Sequence, residues 1–340
     1  MGTGGSSSGN GGEGAGGGSG GGGSGISINL DGSITSSSGG SMAADGPVVA
    51  CTTGDACICP TLSIAVIGNP GQYGSGNNSD TAFQDWLNSS SAGTAKVDNY
   101  KTQPTLTADF LKGYNVIIFT GLADDSKNGP WWTFTAAELA AFQDWVNNGG
   151  GVITLNGMSG SNDEVNPDNV LLAFTGIQYI ANSVTPACIL TSAAIADVCV
   201  TCTGGSQPIT LWDTADPVVS QLSSGITMVG MNWGPPISAP SDAYVAAKIP
   251  ATWGNDPYFN VLVAKVVGKG RVLVYSDEWI TYTSQWDGSG LSSTSDPKCA
   301  NFLPQKIYQT AQFWYNMIRW TQPSATCFKI VDTQQPVTIW

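Results

Sequence analysis

Three short, almost wholly apolar runs constrain this chain more than any other feature. They are Leu62-Ser-Ile-Ala-Val-Ile-Gly68, Asn115-Val-Ile-Ile-Phe-Thr-Gly121 and Gly151-Val-Ile-Thr-Leu-Asn156. A strand that is apolar at consecutive positions has both faces buried, as in a parallel sheet covered on two sides. Helical signals lie between the runs. Phe83, Trp86 and Leu87 recur at helical spacing behind Ser79 or Asp80 as N-cap. Lys96 to Tyr100 reads as an edge strand, and Leu106, Phe110 and Leu111 as a short helix ended by Gly113. Thr135-Ala-Ala-Glu138 has capping-box spacing; Leu139, Phe142 and Val146 follow on one face, and Asn148-Gly149-Gly150 stops the helix. Strand and helix therefore alternate, which predicts an α/β fold: a flavodoxin-like, doubly wound, mostly parallel sheet.

The pattern loosens over residues 160–260. Short β-like runs at Ile177–Ile180, Ile209–Trp212, Ile226–Met231 and Tyr244–Ile249 lie among many Gly and Pro residues, which predicts an irregular β-rich insertion. Val261–Val267, a Gly-Lys-Gly turn at 268–270 and Arg271–Tyr275 read as a hairpin whose second strand returns to the sheet. A last helix is expected over Phe302 to Trp320, with Leu303, Ile307, Trp314 and Ile318 on its buried face, and an edge strand within Ile330 to Trp340.

Outside that core the composition changes. Met1 to Gly25 is almost entirely Gly and Ser, with Glu13 its only charge. Such a segment buries too little apolar surface to offset the entropy of ordering it. Residues 1–46 are expected to be a disordered Gly/Ser-rich tether, and residues 47–340 a single α/β domain with 160–260 inserted in it. Charged residues make up 11% of the chain, and 12 Lys and Arg against 25 Asp and Glu leave a net charge of −13. That balance argues against nucleic acid, whose phosphates need clustered cations. No apolar run approaches the roughly 18 residues of a transmembrane segment.

Eight cysteines, Cys51, Cys57, Cys59, Cys188, Cys199, Cys202, Cys299 and Cys327, fall in three neighbourhoods. An even count in a chain poor in charge favours disulfides, hence an oxidising compartment. The preferred pairs are Cys299 with Cys327 and Cys188 with Cys199 or Cys202. The spacings Cys57-Ile-Cys59 and Cys199-Val-Thr-Cys202 leave zinc or redox chemistry as lesser alternatives. The expected location is extracellular, periplasmic or at the cell surface, as a secreted protein or a lipoprotein anchored through a signal upstream of this chain.

Several stretches, taken in order, resemble the class I glutamine amidotransferase-like superfamily, especially its trehalose-utilisation-type members. They are Ile64-Ala-Val-Ile67, Tyr114-Asn-Val-Ile-Ile-Phe119, Phe142-Gln-Asp-Trp-Val-Asn-Asn-Gly-Gly-Gly151, Asp216-Pro-Val-Val-Ser-Gln-Leu222, Gly268-Lys-Gly-Arg-Val-Leu-Val-Tyr-Ser-Asp277 and the closing aromatic helix. The likeness covers roughly residues 60–320. It implies a nucleophilic cysteine at the turn after the strand at 151–156, and a histidine and an acid after a late strand. The chain departs from that pattern. The turn reads Asn156-Gly-Met-Ser-Gly160, Met158 stands near the nucleophile position, and the sequence contains no histidine. Ser159 has no neutral base to activate it. The resemblance therefore implies the fold without the family's chemistry.

In a doubly wound sheet, ligands meet the loops at the carboxyl ends of the strands. Those loops hold Asp124, Asp125, Trp131 and Trp132, then Asp163, Glu164 and Asp168, then Asp277, Glu278, Trp279 and Trp286. Indole faces stack on sugars while carboxylates take hydroxyls, which suggests a glycan or a cell-surface protein as partner. Asp163, Glu164 and Asp168 are hard oxygen donors suited to calcium, the one cofactor the sequence suggests. Paired carboxylates would also serve a glycoside hydrolase without histidine. The expected function is a non-catalytic binding or structural module, with a carboxylate-dependent glycoside hydrolase as the alternative.

Overall fold

The computed structural model describes residues 60–69, 80–125, 129–157, 161–182, 207–209, 211–226, 229–231, 234–251, 256–286, 306–323, 328–329 and 337–339. The expected tether and all eight cysteines, with their proposed pairings, lie outside the described residues.

Within them the chain runs β1 (Leu62–Ile67), α1 (Thr81–Ser90), β2 (Ala95–Tyr100), α2 (Ala108–Leu111), β3 (Val116–Phe119), α3 (Ala136–Asn147), β4 (Gly151–Leu155) and α4 (Asn162–Leu172). Five strands of two residues follow: β5 (Gln178–Tyr179), β6 (Gln207–Pro208), β7 (Leu211–Trp212), β8 (Gly230–Met231) and β9 (Ile237–Ser238). Then come β10 (Tyr244–Pro250), β11 (Tyr258–Val267), β12 (Gly270–Tyr275), β13 (Lys306–Tyr308), α5 (Thr310–Thr321) and β14 (Val337–Ile339). The main sheet has eight strands in the order β2-β1-β3-β4-β12-β11-β10-β7. The first five pair in parallel. Counted along the chain, their order is 2-1-3-4-5, the flavodoxin-like order. β11, β10 and β7 extend the sheet antiparallel.

The apolar runs are explained by what covers them. Side chains alternate across a strand. Leu62, Ile64 and Val66 join Val116, Ile118, Ile153 and Leu273 on one face, under α1 and α5, which contribute Phe83, Trp86, Trp314 and Trp320. Ala65, Ile67, Ile117, Phe119, Val152 and Val272 join the other face, under α2, α3 and α4, with Leu111, Phe142 and Leu171. Both faces are covered, so nearly every position is apolar; Thr154 is buried as an exception, with its hydroxyl 3.0 Å from that of Tyr179. The capping box at Thr135 and Glu138 forms as expected.

Two expectations are corrected. Residues 161–169 are not a loop: from Asn162 they form α4, capped by the Ser161 hydroxyl, which accepts from the Glu164 N–H. Within the stretch 160–260, β7 and β10 are strands of the main sheet. The last helix begins at Thr310 rather than Phe302, since Lys306–Tyr308 is instead a strand paired with β14. That pairing places Ile307 on a strand, and the helix buries Phe313, Trp314, Met317 and Ile318.

Helix α5 reaches the sheet at Gly151. A Cβ there would lie 2.3 Å from the Thr321 carbonyl oxygen. Gly151→Ala should therefore push α5 off β4 and lower unfolding free energy by about 1–3 kcal/mol, the usual cost of overpacking. Urea unfolding monitored by tryptophan fluorescence measures it; an unchanged midpoint would mean that α5 is not seated on β4.

Candidate functional site

Strands β4 and β12 pair in parallel through Leu155 opposite Tyr275. Their carboxyl ends therefore deliver Asn156-Gly157 beside Ser276-Asp277-Glu278. The Glu278 carboxyl lies against Gly157: a Cβ at 157 would be 2.4 Å from its Cδ and 2.5 Å from its Oε1. Only glycine leaves room for it. Helix α4 brings Glu164 and Asp168 to the same place, four residues apart and so on one helical face. The Asn156 amide ties them down, with its Nδ2 donating to Asp168 Oδ2 at 2.8 Å and to the Glu164 carbonyl at 3.3 Å. Tyr282 donates its hydroxyl proton to Glu278 Oε1 at 2.9 Å. Asp277 turns back on its own chain and accepts the Trp279 N–H at 2.8 Å. Tyr179, from β5, donates to the Tyr275 carbonyl at 3.0 Å and lies 3.0 Å from the Thr154 hydroxyl.

The carboxyl groups of this cluster are out of water: Glu164 is 5% exposed, Asp168 1%, Asp277 0% and Glu278 1%. Burial disfavours a charged carboxylate. It pushes Glu278 up to about 8, helped by the neighbouring charges of Glu164, Asp277 and Asp168 and opposed by the Tyr282 hydrogen bond. Burial likewise holds Asp168 well above the ordinary range against the Asn156 hydrogen bond, with Glu164 adding to the rise. Tyr179 is raised well above its usual value by burial and by the charge of Asp168. At neutral pH the Glu278 carboxyl is thus mostly protonated. Asn156 Oδ1, Asp168 Oδ1 and Trp279 Nε1 are buried with no hydrogen-bond partner. Each such atom costs about 1–3 kcal/mol.

The other expected site residues are placed differently. Asp124 is exposed and accepts the Trp132 indole N–H at 2.8 Å, so that pair holds the loop before α3 rather than forming an open platform. Trp132 is buried at 4% exposure, and Trp131 is half-buried in a β-bridge with Ala123. Asp125 is half-buried, and its backbone carbonyl accepts the Gly129 N–H at 2.7 Å. Trp286 packs in the core against Phe83 and Trp86, with ring centroids 6.0 and 5.2 Å away. Trp279 stacks on Tyr282 at 5.3 Å. Asp163 is exposed on α4 while Glu164 and Asp168 are buried. Among the described residues no three or more His, Cys, Asp or Glu side chains are arranged to hold a metal ion. Met158, Ser159 and Gly160 lie outside the described residues. Asn156 and Tyr179 are not among the site residues expected from sequence; Asn156 at a strand end is the one available signal.

Comparison with known proteins gives structural likeness alone. No protein-family model matches the chain, and no curated protein matches it. Among solved structures it is similar to a cytoplasmic protein of Salmonella typhimurium LT2, at 16% identity and a TM-score of 0.47, covering 77% of this chain and 100% of that one. It is similar to a ThuA-like protein of Bacteroides uniformis, at 13% identity and a TM-score of 0.44, covering 79% of this chain and 94% of that one. It is also similar to Agd3, a carbohydrate deacetylase, at 12% identity and a TM-score of 0.43, covering 77% of this chain and 32% of that one. Among the described residues no helix is long and apolar enough to cross a membrane.

The raised carboxyls link stability to pH. An acid whose pKa is higher folded than unfolded binds more protons in the native state between the two values, so stability falls as pH rises through that window. For Glu278 the window runs from 4.5 to about 8. Across it each such group removes about 1.4 kcal/mol per pH unit. The melting temperature should fall steadily from pH 5 to pH 8, and Glu278→Gln should flatten part of that slope. A slope identical in the variant would place Glu278 in contact with water.

Proposed function

We propose that this chain is a non-catalytic, amidotransferase-like module that works outside the cytoplasm and binds a glycan or another cell-surface component. One observation carries the reading. The turn after β4 is where amidotransferase-like enzymes of the resembling family hold their nucleophile, and here the Glu278 carboxyl fills the space above Gly157. The surrounding acids are buried. A base that holds its proton in a dry pocket cannot activate a water or a serine at neutral pH. The absence of histidine from the sequence agrees with this. The low share of charged residues supports the export reading, and the cysteines would then be paired. The test is retention of the purified chain on a glycan array together with a screen of glycoside and acyl substrates. Retention without turnover is expected; turnover abolished by Glu278→Gln would overturn the reading.

A second reading, a carboxyl-dependent glycoside hydrolase, is favoured by the same Glu278. A carboxyl raised to about 8 beside another acid, Glu164, is suited to donate a proton to a leaving group. This reading predicts hydrolysis of nitrophenyl glycosides with an alkaline limb near pH 8, lost in both Glu278→Gln and Glu164→Gln.

A further inference from the structure

A groove of about 300 Å³ lies on the antiparallel side of the sheet, lined by Lys248, Asp256, Pro257, Tyr258 and Asn260. Its origin is a slip in the pairing of β10 with β11. The register shifts between Val245 and Ala247 and again between Ala247 and Lys248. Consecutive residues on both strands, Ala246 with Ala247 and Val261 with Leu262, consequently sit in the same core cluster. Without the slip, alternation from Val245 would aim Lys248 into that core, because a one-residue shift exchanges the faces of a strand. With it, Ile249 and Phe259 point into the core and Lys248, Asn260 and Tyr258 point out. Lys248 stands opposite Asn260, and Tyr258 lies two residues from Asn260 along β11, so the three share one face.

We propose that this groove binds a neutral saccharide unit, and this rests on the reading of the chain as a glycan-binding module. The chemistry fits that class. Tyr258 is an aromatic left 46% exposed at the start of β11, and its ring offers a stacking surface for the C–H face of a pyranose. Lys248 and Asp256 take part in none of the ion pairs among the described residues, leaving one donor and one acceptor in the groove. Asn260 spends one amide N–H on the Ile237 carbonyl at 3.1 Å and keeps its acceptor oxygen. One cation and one anion together disfavour ligands of either net charge and match alternating hydroxyls. The volume is at the small end of ligand sites, which run from about 300 to 1,000 Å³. The test is an array of neutral glucose, galactose, mannose and N-acetylglucosamine glycans alongside uronic-acid glycans, probed with the wild-type chain and with Tyr258→Ala, Asp256→Asn and the surface variant Lys112→Ala. The expected result is retention on neutral glycans. Tyr258→Ala and Asp256→Asn should weaken it at least tenfold at unchanged melting temperature, and Lys112→Ala, on an exposed ion pair elsewhere, should leave it intact. Retention that survives both groove variants would overturn the groove while sparing the glycan-binding reading. No retention on any glycan would overturn both.

Discussion

The parallel pairing of β4 with β12 is the contact on which the rest of the molecule turns. It joins strands far apart in sequence, Gly151–Leu155 and Gly270–Tyr275, in the middle of an eight-stranded sheet. To its left lie the strands laid down first, each returned by a helix; to its right the chain doubles back antiparallel. Both strands are seated by close approach at glycine. Gly151 meets the end of α5, and a Cβ on Gly270 would lie 2.1 Å from the Val146 carbonyl at the end of α3. The same pairing fixes what stands at the carboxyl edge, because each strand must end in a turn beside the other.

At that edge the usual consequence of burying acids is avoided. Isolated carboxylates removed from water carry a large desolvation cost, and proteins meet it by pairing them with cations or by keeping them protonated. Among the described residues Asp168 and Glu278 take part in none of the ion pairs. For Glu278 protonation is the remaining route, against the hydrogen bond that it accepts from Tyr282. The Glu278 carboxyl is consequently mostly neutral at neutral pH and charged in alkali. At Gly157, just past β4, this carboxyl occupies the space that any side chain would need.

Much of the fold was legible from the sequence, for a simple physical reason. A strand buried on both faces has no freedom to be polar, so Val116–Phe119 and its counterparts could be read directly. The capping box at Thr135 fixed the start of α3 just as directly. Helix α4 was not legible. Its residues, Asn, Asp and Pro, favour turns, and Pro167 lies inside the helix, where it removes a backbone donor. Ser161 with Glu164 three residues later was the available start signal. The sequence placed Glu164, Asp168, Asp277 and Glu278 at one edge of the sheet, but without α4 it could not separate buried Glu164 and Asp168 from exposed Asp163. The tryptophans misled in the opposite sense: Trp132 and Trp286 lie next to loops in sequence yet are buried. The groove on β11 depended on a register slip, which no periodicity in the sequence announces.

The most direct measurement follows the carboxyl carbon of Glu278 itself. With glutamate labelled by ¹³C at Cδ, and the Glu278 signal assigned by its loss in Glu278→Gln, its chemical shift is recorded from pH 3 to pH 10. A shift that stays at the protonated value through pH 7 and moves only near pH 8 is what the account predicts. Ionisation close to the ordinary glutamate value would mean that Glu278 is hydrated and charged, and that the turn after β4 is open.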